Sequence, residues 1–167
     1  MIKSEHILAA EKNCWALLDE ITDPEIPVLS ITDLGIVRSL TVISPPEEEG
    51  IIQLVITATY SGCPAMDWIT QAIQIELQTK GYKNIQIQTS ISPAWTTDWM
   101  TEKGKQKLNS YGIAPPSNRF KVPADGIPCP QCGSENTTLI SEFGSTACKA
   151  LLQCAACKEP FDYFKCH

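Results

Sequence analysis

No apolar run in this sequence approaches the roughly 18 residues that a membrane-spanning helix needs. A charged-then-apolar secretory leader is also missing, because Met1 to Glu20 reads as an amphipathic helix interrupted by Glu5, Glu11, Lys12 and Asp19. The expectation is a soluble, cytoplasmic protein. In that reducing compartment, paired Cys-x-x-Cys motifs bind metals or do redox chemistry rather than form structural bridges. Basic residues are outnumbered, 13 against 19 acids, and they form no Lys/Arg cluster. A net charge of -6 without such a cluster argues against nucleic acid, whose phosphates supply most of that affinity. Histidine is scarce too: His6 and His167 sit at the two ends with no recognisable triad partner, which argues against a Cys-His hydrolase. No internal repeat is visible.

Cysteine is plentiful but unevenly placed. Six of the eight, Cys129, Cys132, Cys148, Cys154, Cys157 and Cys166, fall in the last forty residues, and only Cys14 and Cys63 precede them. Forty residues bury too little apolar surface to fold unaided and usually need a metal or disulfides. Cys129-Pro-Gln-Cys132-Gly133 and Cys154-Ala-Ala-Cys157, separated by 21 residues, have the spacing of a zinc site. Each two-residue gap directs two sulfurs at one ion, and two such turns complete a tetrahedral shell with no open position. The site is therefore structural, with zinc as the expected ion, although a redox-active iron would accept the same four sulfurs.

The rest of the chain reads as α+β. Apolar residues at helical spacing (Ile7, Leu8, Trp15, Leu17, Leu18, Ile21) predict a first helix over 4–20. Asp23 to Asp33, with two prolines and three acids, predicts an ordered acidic loop. Gly35 to Ile43 and Ile51 to Thr59 predict a hairpin around the charged tip 44–50. Pro64 opens a second helix that stops at Gly81, and Asn84 to Ile91 alternates as a third strand buried on one face. Trp95 and Trp99 flank Thr96 and Thr97, which suit the cap of a short helix, and their rings are expected to pack on the sheet. The result is an α-β-β-α-β domain over 1–110, a proline-rich linker over 111–127 and a three-stranded ribbon over 128–167. Thr137 to Glu142, Ala147 to Gln153 and Phe161 to Cys166 supply the ribbon's strands.

Two further thiol features have alternative readings. Cys63, in Thr59-Tyr-Ser-Gly-Cys-Pro64, stands where a strand ends and a helix begins. A helix N-terminus favours anions, so this thiol is expected to have a lowered pKa and act as nucleophile or soft-metal ligand; otherwise it closes a packed corner. Gly62 permits a sharp turn or a close approach there. In the ribbon, a turn about Ala155 and Ala156 places Cys148 near Phe164 and close to Cys166. Those two cysteines, with His167, make a second thiol site or are small buried hydrophobes.

Asp23-Pro-Glu-Ile-Pro-Val28, Asp33-Leu-Gly-Ile36 and Thr57 to Pro64 resemble the iron-sulfur assembly domain family that includes the bacterial SufT proteins, over about residues 5 to 92. With Phe143-Gly-Ser-Thr-Ala-Cys-Lys149 and Glu159-Pro-Phe-Asp-Tyr-Phe-Lys-Cys166 added, nearly the whole chain resembles the PaaD (PaaJ) family, the D components encoded with phenylacetyl-CoA epoxidase. The resemblance implies a NifU-like α/β fold and a non-enzymatic role in phenylacetate catabolism, supplying or inserting iron-sulfur clusters. Cys63 matches the family's cysteine, and Asp23, Glu25 and Asp33 match its acidic loop. A transient cluster or iron is the implied cargo, and the oxygenase's reductase component, with its [2Fe-2S] cluster and flavin, the implied recipient. An adaptor subunit that binds the oxygenase through Phe161, Tyr163 and Phe164 is the other reading, and a homodimer is compatible with both.

Overall fold

A computed structural model describes residues 5–117 and 126–165. The chain divides into two compact units between Trp95 and Thr96. The first unit follows the expected order: α1 (Glu5–Leu18), β1 (Val37–Ser44), β2 (Ile51–Ile56), α2 (Ala65–Thr79) and β3 (Asn84–Thr89). The sheet order is β1-β2-β3. A short connection makes β1 and β2 antiparallel, whereas the α2 crossover returns β3 parallel to β2.

Alternation sets which face is buried. Leu40 and Val42 of β1 and Ile52, Leu54 and Ile56 of β2 turn inward, and Ile69, Ile73 and Leu77, one turn apart on α2, are fully buried. Each such side chain contributes about 1.5–3 kcal/mol by leaving water. Two expectations shift. In α1 the buried positions are Cys14 and Leu18, while Leu8 and Trp15 are exposed, because the apolar residues spread over more of the helix than one contact face covers. β3 is a sheet edge, so Ile85 and Ile87 are only half-buried.

The loop between α1 and β1 is ordered by its own side chains. Asp23 Oδ1 accepts the backbone N–H groups of Glu25 (2.7 Å) and Ile26 (2.9 Å). Ser30 and Asp33 accept each other's backbone N–H, and Asp19 accepts the hydroxyls of Ser30 and Thr32. Leu29, Ile31 and Leu34 sink into the core from this loop. Trp95 is buried, as expected for a large ring, and its indole N–H donates to the Leu34 carbonyl at 2.8 Å.

The second unit opens with a 3-10 turn, Thr97–Trp99, capped by Thr96, and Trp99 is half-buried. α3 (Glu102–Tyr111) follows, with Thr101 accepting the Gly104 N–H at 2.9 Å and Gly112 ending the helix at φ +93°. Then come β4 (Ile113–Ala114), β5 (Thr137–Ser141), β6 (Lys149–Cys154) and β7 (Pro160–Phe164), ordered β4-β7-β6-β5. Within the expected linker, residues 111–117 and 126–127 are described. Ile113 and Ala114 add a fourth strand parallel to β7, and Ile127 is buried. The ribbon's core comprises Ala114, Ile127, Cys129, Ala150, Leu152, Cys154, Phe161 and Tyr163.

Phe161, Tyr163 and Phe164, expected as partner-binding rings in the adaptor reading, are at most 4% exposed and fill the interior instead. Among the described residues no helix is long and apolar enough to cross a membrane.

Candidate functional site

The four ribbon thiols converge through two matching turns. Cys129 donates its N–H to Ser134 O (3.0 Å) and accepts from the Gly133 N–H (2.8 Å); Cys154 likewise donates to Glu159 O and accepts from the Lys158 N–H, both at 3.0 Å. Each turn places its last residue in the left-handed region, Gly133 at φ +74° and Lys158 at φ +68°. Lys158 is the one non-glycine residue with positive φ among the described residues. Lys158→Gly is expected to raise the ribbon's unfolding free energy by about 0.5–1 kcal/mol without changing metal content, measured by denaturant titration of the metal-loaded protein.

Cys129 Sγ lies 3.7 Å from Cys157 Sγ and Cys132 Sγ 3.6 Å from Cys154 Sγ. All four lie within 4.8 Å of one another. A tetrahedron with Zn–S bonds of about 2.3 Å has edges of about 3.8 Å, so this donor set fits Zn²⁺ in both chemistry and spacing. The N–H groups of Cys157 and Ala156 hold the Cys154 thiol down to about 6. The Glu159 N–H acts the same way on Cys157, but burial and the three neighbouring sulfurs outweigh it and push that thiol up to about 12. Sulfurs this close do not all ionise without a cation among them.

Cys148 stands outside this cluster. β6 and β7 pair Lys149 with Phe164, and the Lys165 N–H donates to Cys148 O at 3.0 Å. Cys148 therefore faces Lys165, one residue from the position that the turn predicted. Its thiol is buried 3.0 Å from Thr146 Oγ1. Cys166 and His167, the other members of the expected second thiol site, lie outside the described residues.

Cys63 is half-buried, two residues before the first residue of α2, with Pro64 as N-cap. Gly62 adopts φ +78°, and a Cβ built on it would meet nothing within 4 Å. The glycine is needed for the turn, not for a close approach. The thiol's pKa is raised, the reverse of the sequence expectation: burial acts most strongly, and the Glu25 and Asp23 carboxylates add to it. The Ala65 N–H and the Tyr60 side chain act in the opposite direction but do not prevail. A helix end thus loses to desolvation and two nearby anions.

The structure brings Asp23 and Glu25 to the thiol, whereas Asp33, almost wholly buried, closes the Ser30 turn behind them. Tyr60 joins the two parts, its hydroxyl donating to Glu25 Oε1 at 3.5 Å while its side chain also reaches Cys63. Sequence reasoning passed over Tyr60, although it stands only three residues before the cysteine. Glu25→Gln is expected to lower the thiol's pKa and so raise the thiolate fraction, speeding iodoacetamide alkylation of Cys63 severalfold at pH 8, read by peptide mass spectrometry.

A groove of about 1030 Å³ runs along α1 past Pro45, Pro46 and Tyr82, and none of the candidate site residues lines it. At its base Cys14 donates to Tyr82 Oη at 3.2 Å.

Comparisons with known proteins fall on the same two parts. A profile described as "Iron-sulfur cluster assembly protein" matches residues 11–88, and one described as "PaaD zinc beta ribbon domain" matches residues 114–165. A relative from Escherichia coli strain K12, named as a subunit of a "Putative 1,2-phenylacetyl-CoA epoxidase", is 52% identical over 91% of this chain and 90% of its own. A relative from Porphyromonas gingivalis, named "Fe-S protein maturation auxiliary factor", is 29% identical over 63% of this chain and 96% of its own. Among solved structures, a domain of unknown function, DUF59, from Bacillus anthracis aligns with a TM-score of 0.54 and 26% identity, covering 60% of this chain and 92% of its own.

Proposed function

Because the chain belongs to the PaaD family of phenylacetyl-CoA epoxidase subunits, we propose that it is an accessory factor that helps assemble or insert an iron-sulfur cluster in the epoxidase's reductase component. The observation that carries this reading is Cys63, a half-buried thiol between the Asp23–Glu25 loop and the start of α2, inside the segment that matches cluster assembly proteins.

The surroundings suit iron as cargo. Burial and two carboxylates keep the Cys63 thiol protonated at neutral pH, so it is a poor nucleophile until a cation arrives. A ferrous ion beside Glu25 and Asp23 offsets their charge and favours the thiolate, and ligation then displaces the proton. Tyr60 holds the loop to the thiol while this happens. In the ribbon, Cys129, Cys132, Cys154 and Cys157 would hold a structural zinc ion. Bound there, the ion supplies a cross-link between the two turns and no reactive position.

The name of the Escherichia coli relative, which makes that protein part of an epoxidase, favours a second reading in which the chain is a stoichiometric adaptor of the oxygenase. Co-expression separates the two. Under the maturation reading, Cys63→Ser lowers cluster content in the reductase component, which is otherwise produced in normal amount. An epoxidase that retains this chain in stable stoichiometry and is indifferent to Cys63→Ser would favour the adaptor.

A further inference from the structure

The two sheets expose four edge strands, and three of them carry devices that block pairing with another strand. In β1 the register with β2 slips at Arg38 and again at Ile43, and the Glu11 carboxylate of α1 takes the Val42 N–H at 3.1 Å. β4 is two residues long. β5 breaks register at Ile140. Bulges, brevity and side-chain caps are the usual means by which edges avoid unwanted partners.

β3 has none of them. Its six residues, Asn-Ile-Gln-Ile-Gln-Thr, pair with β2 without a slip from Asn84 to Thr89 and contain no charge and no proline. Among the described residues no strand lies on its other side. Asn84, Gln86, Gln88 and Thr89 are exposed, and Ile85 and Ile87 remain half-covered.

We infer that the outer edge of β3 is an interface at which a second copy of this chain adds its own β3, antiparallel, to give a continuous six-stranded sheet. Three features fit a second copy. Residues directly opposite in an antiparallel pair share a face, so a two-fold axis normal to the sheet sets Ile85 and Ile87 against isoleucine or threonine, and amide against amide. Asn and Gln side chains both donate and accept, so the exposed row can bond to its own image, as Gln86 already does with Gln53 at 2.8 Å. A charged row would repel its copy in a chain of net charge -6, and this row is neutral. The sheet would then end on both sides at the blunted β1 edge, so growth stops at two.

Sedimentation of the full metal-loaded chain across a concentration series tests this. The expected result is a reversible dimer. Gln86→Lys/Gln88→Lys and Gln86→Glu/Gln88→Glu each set like charges across the axis and are expected to weaken it roughly tenfold or more, while an equal mixture of the two regains wild-type association. If either variant fails to fold, amide exchange of the wild type substitutes: exchange in residues 84–89 is expected to slow as concentration rises. A chain that stays monomeric, a dimer whose affinity neither variant alters, or β3 exchange that ignores concentration would overturn the inference. So would a monomer whose β3 is protected only on adding the reductase component, since that gives the edge to a client.

Discussion

Chelation of the metal, or the substitution Cys154→Ser, is expected to unfold the β5–β7 ribbon while the first unit keeps its structure. The reason lies in where the ligands sit. Cys129 and Cys154 belong to the four-thiol cluster and are also members of the ribbon's core, packed with Ile127, Leu152 and Phe161. Removing the ion removes the cross-link between the two turns, and a core this small does not hold them together unaided. Structural zinc contributes about 10–16 kcal/mol of apparent binding free energy in small domains, and that energy is folding energy. Losing one of four ligands should weaken the metal by more than the roughly 100-fold that disturbing an outer-shell partner costs.

Hydrogen exchange resolved by segment, with metal analysis alongside, reads the result. Fast exchange is expected in residues 137–164, with protection kept in β1, β2 and α2. A ribbon that stays protected after chelation would mean that the four thiols do not hold the fold. Metal uptake must also release protons, so affinity is expected to fall as pH drops from 8 to 6, where more of the thiols hold theirs.

Cys63→Ser is expected to do the reverse: it should leave the chain's own fold and metal intact and impair only the client. The side chain is half-buried and near-isosteric with serine, so the stability change should stay within about 1 kcal/mol. A hydroxyl beside Glu25 and Asp23 is a far weaker ligand for iron than a thiolate. Reductase component made alongside the variant is expected to lack most of its iron and acid-labile sulfide. Full cluster occupancy would end the maturation reading. The pairing with Cys154→Ser is informative because the two substitutions should separate cleanly, one removing the ribbon and one the chemistry.

Much of this was legible in the sequence where the signal is local. Alternation over Ile51 to Ile56 gives β2, helical spacing of Ile69, Ile73 and Leu77 gives α2, and two Cys-x-x-Cys turns give the metal centre. The rest depends on contacts between distant segments. β4 is two residues with no periodicity of their own, and only pairing with Asp162 and Tyr163 makes them a strand. Rings at Phe161 and Tyr163 look like a binding surface until β6 is laid against them.

The direction of the Cys63 shift shows the same limit. Position at a helix start is readable from Gly62 and Pro64, but the opposing effect comes from carboxylates about forty residues earlier in the chain. Nor does sequence say that Asp33 faces its own loop while Glu25 meets Tyr60. Both are acids within one short segment.

Because two thiols of the four-cysteine cluster double as core residues, a newly made chain that has not met its metal would display Ile127, Leu152 and Phe161 to the cell. Such a chain is a substrate for chaperones and proteases. Its abundance would then be governed by metal supply as much as by synthesis, and the ribbon would act as a checkpoint that lets only loaded copies accumulate.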